Sequence, residues 1–232
     1  MNDAPIIADH VCPPIAAHSD RPSVVHQLFW ASTLSLYFLA VYGLANGVTA
    51  RRAAGGAVIP TFYFAWERKI PFIAPFIVPY MSIDLFFLAG PFVCTTIREL
   101  RTYIKRIVVA TTIAGVFFVL MPLRLAFDRP QPNDLFGRVF EFLHRIDHPY
   151  NRAPSLHLAY CVILWMVYAR HTRGGARWAL GIWFLLIAVS PLFIAQHQLI
   201  DLIAGLALAW LCILIFAETR SPSPASPSRS HT

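Results

Sequence analysis

The sequence predicts an all-α fold: a polytopic membrane helical bundle of six transmembrane helices, with an interfacial helix between the third and fourth. Three observations predict it. Hydrophobic residues make up 57% of the 232 residues and charged residues only 13%, too apolar and too sparsely charged for a soluble domain of this length. Asp, Glu, Lys and Arg are absent from long windows at 22 to 50, 107 to 123, 153 to 169, 178 to 200 and 202 to 217, and a further window at 70 to 97 is broken only by Asp84. A bilayer core takes about 20 apolar residues per helix, with about 17 as the lower limit, so these windows supply six spans.

The first window follows a mixed, proline-containing segment at 1 to 26, which lacks the basic start and compact apolar core of a cleaved signal peptide. The six-span domain is expected over 27 to 218. In the second window Asp84 reads as a helix-packing hydrogen bond, with Tyr80 or a neighbouring span as partner. The segment between these spans carries Glu67 and Arg68 beside Trp66, which read as an interfacial anchor. After the third window, RLAFDRPQPNDLFGRVFEFLHRIDHPYNR holds Leu135, Phe136, Val139, Phe140, Leu143 and Ile146 at helical spacing, the pattern of an amphipathic helix at the interface. The fourth span opens at PSLH, where Pro154 and Ser155 are helix-start residues and the free backbone donors suit an anion. The sixth window reaches spanning length only from His197, which puts His197 and Asp201 in its first turn and a half. Residues 219 to 232 are a Ser/Pro-rich tail with no capacity to bury a core.

The four cysteines are scattered without metal spacing, so packing is their expected role. The net charge of +7 does not imply nucleic acid, because the basic residues lie in loops between spans. IRELRTYIKR at 97 to 106 and RHTRGGAR at 170 to 177 are the loops richest in positive charge for their length, which places them and both termini on the cytoplasmic side. The opposite face then carries 49 to 70, 124 to 152 and the turn before His197. Arg51, Arg52, Arg68 and Lys69 oppose that assignment. Whatever the orientation, His157, His197 and the 124 to 152 loop share one face.

His197 and Asp201 form HxxxD, a spacing that places both on one side of a helix. Alone it is a weak motif, and His157 alone is an ordinary interfacial histidine. Ionisable groups at membrane depth are nevertheless functional candidates. Arg124 and Arg129, near the end of the third span, are placed to grip a phosphate by bidentate hydrogen bonds, whereas Arg138 and Arg145 lie on the solvated side of the interfacial helix. Two histidines, a carboxylate, arginines and a helix start are the parts phosphoryl transfer needs. Zinc on His157, His197 and Asp201 is the competing reading; no HExxH supports it, and neighbouring arginines would repel a cation.

These residues resemble the type-2 phosphatidic acid phosphatase superfamily, whose motifs are written KxxxxxxRP, PSGH and SRxxxxxHxxxD. The counterparts are Arg129 with Pro130, PSLH at 154 to 157, and Ser190 followed by His197 and Asp201. MPLRLAFDRP, HPYNRAPSLHLAYCVILW, WERKIPF and VPYMSIDLFF look further like the membrane module of bacterial proteins that fuse it to a dual-specificity phosphatase. No HCxxxxxR follows here. Leu156 replaces the usual Gly, as in inositol phosphorylceramide synthases; Pro191 stands in place of Arg, and Pro122 in place of Lys.

The resemblance implies a lipid phosphatase without metal or other cofactor. His197 would attack phosphorus, Asp201 would hold its ring, and His157 would protonate the leaving alkoxide. Arg124 and Arg129 would bind phosphate, Arg152 would substitute for a missing cation, and Ser155 would add a donor. The expected partners are a lipid phosphate and membrane lipids, in a bacterial inner membrane with the site facing the periplasm or exterior. Transfer of the phosphorylated group to a lipid alcohol, and a catalytically degenerate lipid-binding protein, are the alternatives.

Overall fold

The computed structural model describes residues 20–128, 130–132, 135–147 and 149–217, and these build an all-helical bundle. The chain runs α1 (Val24–Ala54), two short 3-10 turns (Ala65–Lys69 and Ala74–Phe76), α2 (Ile77–Val93), α3 (Ile97–Leu120), α4 (Leu135–Ile146), α5 (Leu156–His171), α6 (Gly174–Phe193) and α7 (Leu199–Ile215). Most of the expected N-terminal segment and all of the Ser/Pro tail lie outside the described residues.

Each start has a local cause. Ser23 caps α1 by accepting the His26 amide at 3.2 Å, Thr96 caps α3 by accepting the Glu99 amide at 3.1 Å, and Ser155 caps α5 by accepting the Leu158 amide at 3.3 Å. α5 lies at the centre, against α2, α3, α6 and α7, and α1 closes the bundle against α2 and α3. The core between them is Leu100, Ile107, Ala114, Ile163, Leu164 and Ile187 among others, all close to fully buried. Cys94, Cys161 and Cys212 pack in or beside this core as free thiols. Leu36, Leu44, Leu85, Trp178, Leu185 and Leu214 instead point outward, as a bilayer would require.

Among the described residues, four helices are long and apolar enough to cross a membrane: α1, α2 with its preceding 3-10 turn, α3 and α6. α5 and α7 are shorter, at 16 and 17 residues. Their site ends are not helix, because residues 149–155 and 194–198 are given over to folded turns. His197 therefore precedes α7 rather than lying in its first turn, which corrects the expected start of that helix.

α4 is the expected amphipathic helix. Phe140 and Leu143 are buried with Ile77 and Ile194, while Leu135, Phe142 and Ile146 are exposed. Arg145 is 73% exposed and pairs with Glu141. Among the described residues, the predicted site residues lie at one end of the bundle. Arg98, Arg101, Lys105, Arg170, Arg173 and Arg177 belong to the other.

Candidate active site

The geometry starts from a proline. A helical carbonyl normally accepts the amide four residues later, but Pro191 has no N–H, so the carbonyl of Ile187 on α6 lacks its usual donor. Two side chains take it: the Ser190 hydroxyl at 2.8 Å and Nε2 of His157 at 3.0 Å. His157 is the second residue of α5, and its ring stacks on Tyr80 of α2 with centroids 4.4 Å apart and planes within 5°. A donated Nε2–H leaves Nδ1 of the neutral ring as the acceptor. Its position is thus fixed on one edge and one face.

Past Pro191 the chain turns sharply. Ala195 adopts φ 52°, and the amides of Gln196 and His197 both return to the Pro191 carbonyl, at 2.9 and 3.2 Å. That turn delivers His197, 8% exposed, with Nδ1 at 3.3 Å from Oδ2 of the fully buried Asp201. With Nδ1–H donated to the carboxylate, the lone pair of His197 resides on Nε2.

The first amides of α7 are already occupied. Gln198 N–H donates to Asp201 Oδ2 at 3.0 Å, and Leu199 N–H donates to Glu67 Oε2 at 2.8 Å. The other Glu67 oxygen accepts the Phe64 amide at 2.7 Å. Glu67 is only 3% exposed, so it is a buried strap between the α1–α2 loop and α7, which corrects its reading as an interfacial anchor. Arg68 is exposed and donates to the Tyr63 hydroxyl.

α5 and α7 meet at their starts. The Ser155 amide donates to the Asp201 carbonyl at 3.0 Å, and a Cβ on Gly205 would come within 2.4 Å of the Ser155 carbonyl oxygen. Asp201 and Gly205 lie four residues apart on α7, so one side of that helix is devoted to the contact. Ser155 itself is fully buried and its hydroxyl serves as the α5 cap.

The predicted phosphate ligands fall in different places. Arg152 is 1% exposed, and its Nη1 donates to Asp147 Oδ2 at 3.0 Å and to the Gln196 carbonyl at 2.8 Å. Asp147 also accepts the Tyr42 hydroxyl of α1. Arg152 is therefore built into the scaffold behind the His197 turn. Next to it, Asn151 bonds Asn46 at 2.8 Å and Thr49 at 3.0 Å, which ties the end of α1 to the start of α5. Arg124 is exposed, and its backbone amide donates to Pro60. Arg129 lies outside the described residues.

His157 and His197 line one cavity of about 210 Å³, together with Tyr80, Asp84, Asn151 and Leu156. Among the described residues this lining contains no arginine or lysine. Asp84, expected to hydrogen-bond to Tyr80 or a neighbouring span, makes no such bond among the described residues and faces the cavity instead. No group of three or more His, Cys, Asp or Glu among the described residues is arranged to hold a metal ion. An imidazole with a carboxylate on its far nitrogen, and a second imidazole in the same cavity, can supply a nucleophile and a proton donor.

No curated protein and no solved structure matches the chain. The model of the PAP2 superfamily matches residues 76–215, from the start of α2 to the end of α7, and so takes in both histidines and Asp201. A match over more than half of the chain makes the protein a member of the PAP2 superfamily.

Proposed function

We propose that this membrane protein is a metal-independent lipid phosphatase that hydrolyses a phosphomonoester or diphosphate through a phosphohistidine. The observation that carries the reading is the shared cavity of His157 and His197, with Asp201 on Nδ1 of His197. The substrate phosphate, bound as its monoanion, first gives its P–OH proton to Nδ1 of His157; Nε2 of His197 then attacks phosphorus as the bond to the lipid oxygen breaks, and His157 passes that Nδ1 proton to the departing oxygen. His157 then takes a proton from water as the water oxygen attacks phosphorus. The P–N bond breaks and phosphate leaves.

Arg124 and Arg129, just beyond α3, are assigned to the phosphate oxygens, and Arg152 and Ser155 to holding the frame. The reading places the site on the periplasmic or outer face of a bacterial inner membrane. Its support is the concentration of basic residues at the opposite ends of α3, α5 and α6. Purified protein offered a series of lipid phosphates should release phosphate equally with and without a chelator, and His197→Ala should stop it. Release that depends on a divalent metal, or that survives His197→Ala, would rule out this mechanism.

One observation favours a second reading, transfer of the phosphorylated group to a lipid alcohol. Leu156 is 6% exposed and lines the cavity beside His157, an apolar surface better matched to an alcohol than to water. A new labelled lipid, in place of free phosphate, would identify it.

A further inference from the structure

Asp84 lines the site cavity and the phosphatase chemistry does not use it; the other carboxylate outside that chemistry, Asp147, is taken by Arg152 and Tyr42. Asp84 lies on α2 one turn beyond Tyr80, whose ring covers His157, and three residues before Phe87, whose ring stacks on Tyr160 at 5.3 Å. Both it and Leu39 of α1 line the cavity and are exposed, so the cavity reaches the bundle surface between α1 and α2. No hydrogen bond or ion pair to its carboxylate occurs among the described residues, although α1, α5 and α6 all pack on α2. An unpartnered carboxylate at membrane depth is costly, and the cost is offset when a ligand supplies the donors.

The chemistry of that ligand is narrow. A phosphate is excluded beside a carboxylate by like charge, so the phosphoryl group stays at the His197 end. A head-group ammonium would pair with the carboxylate and is the competing ligand; wild-type retention of phosphatidylethanolamine above phosphatidylglycerol in native mass spectrometry would overturn the inference below. Neutral hydroxyl groups fit the same carboxylate, which accepts from two of them at once. We infer that Asp84 is a specificity residue that accepts hydrogen bonds from the hydroxyls of an alcohol-bearing group placed between α1 and α2. This rests on the assignment of the cavity as the phosphoryl-transfer site. The hydroxyls come either from the lipid head group or from a free acceptor alcohol.

The test has two arms, run on full-length wild type, Asp84→Ala and Asp84→Asn in detergent. In the first, native mass spectrometry measures retention of phosphatidylglycerol against phosphatidylpropanol, which share charge and chains and differ only in head-group hydroxyls. In the second, dephosphorylation of phosphatidic acid proceeds with glycerol or propanol present, and the share of phosphate passed to each alcohol is compared.

The wild type prefers the hydroxylated member in the first arm if the lipid carries the hydroxyls, and in the second if a free acceptor does. Asp84→Ala reduces that preference about 10- to 100-fold, the range for a hydrogen bond to a charged group, and Asp84→Asn reduces it less. No wild-type preference in either arm, or one that survives Asp84→Ala, overturns the inference. Absence of any dephosphorylation by the wild type rejects the phosphatase reading instead, and the first arm then decides the role of Asp84 alone.

Discussion

Pro191 orients His157 across the interface of two helices by withholding an amide from the carbonyl of Ile187. The 3.0 Å bond from His157 Nε2 to that carbonyl exists because Pro191 supplies no backbone amide to it, which leaves it to be shared by the His157 ring and the Ser190 hydroxyl. The family pattern has Arg at this position. A cation is absent here, and the Ile187 carbonyl is left open to the His157 ring.

Pro191→Ala tests this relationship. A restored amide at 191 competes for the Ile187 carbonyl and releases one edge of the His157 ring. Losing an orienting bond of about 1 kcal/mol lowers kcat roughly 5- to 10-fold. KM should change little, because phosphate and lipid contacts are untouched. Steady-state kinetics together with the histidine tautomer signals in nitrogen NMR would show it, and an unchanged kcat would remove Pro191 from the mechanism.

The helices were legible because a bilayer forbids unpaired charge over about 20 residues, so gaps in the charge pattern mark them. The heptad-like spacing of Phe136, Phe140 and Leu143 revealed α4 for the same kind of reason, one apolar face. Motif spacing likewise located His157, His197 and Asp201. Glu67 was misread because its partner, the Leu199 amide, lies 132 residues away, and local context showed only a charged residue beside Trp66. Pro191 read as a missing arginine, since the use of the Ile187 carbonyl appears only when α5 and α6 are packed. Asp84 read as a packing group because its helix face could not be assigned from an all-apolar window. Gly205 had one available signal, its place four residues after Asp201 on the same side.

Asp201→Asn should be nearly as damaging as loss of the nucleophile. Asparagine keeps an acceptor for the Gln198 amide, yet it removes the charge that stabilises a positive His197 ring and can present N–H where Nδ1–H needs an oxygen. A fall in kcat of about 10²- to 10⁴-fold is expected, by analogy with carboxylates that orient catalytic imidazoles. Rapid-quench trapping of acid-labile phosphoprotein would fall in parallel. Normal phosphoprotein formation in Asp201→Asn would separate the carboxylate from the attack step.

Glu67→Ala should cost stability and activity together. The substitution leaves the Phe64 and Leu199 amides without their acceptor, at about 1–3 kcal/mol for each buried donor that water does not reach. The start of α7, and with it the His197 turn, then loosens. Glu67→Gln retains one carbonyl oxygen and should fall between wild type and Ala. Thermal unfolding in detergent, followed by phosphate release, measures both. Wild-type stability in Glu67→Ala would show that the loop is held by other contacts.

Gly205→Val separates the frame of the site from its chemistry. A Cβ alone meets the Ser155 carbonyl oxygen at 2.4 Å, and that oxygen belongs to the backbone cap of α5, which cannot swing aside as a flexible side chain would. α7 must move outward, carrying Asp201 away from Ser155 and from the amide that bonds its carbonyl. Overpacking of this kind costs about 1–3 kcal/mol, and a displacement near 1 Å at the reacting groups costs about 10²-fold in rate. Gly205→Ala should show a smaller loss of both. Chemical unfolding and kcat measured on the same preparations check the pair of effects. If kcat fell in Gly205→Val with stability unchanged, the close approach of α7 to Ser155 would matter for position alone; if neither changed, the contact would have no bearing on the site.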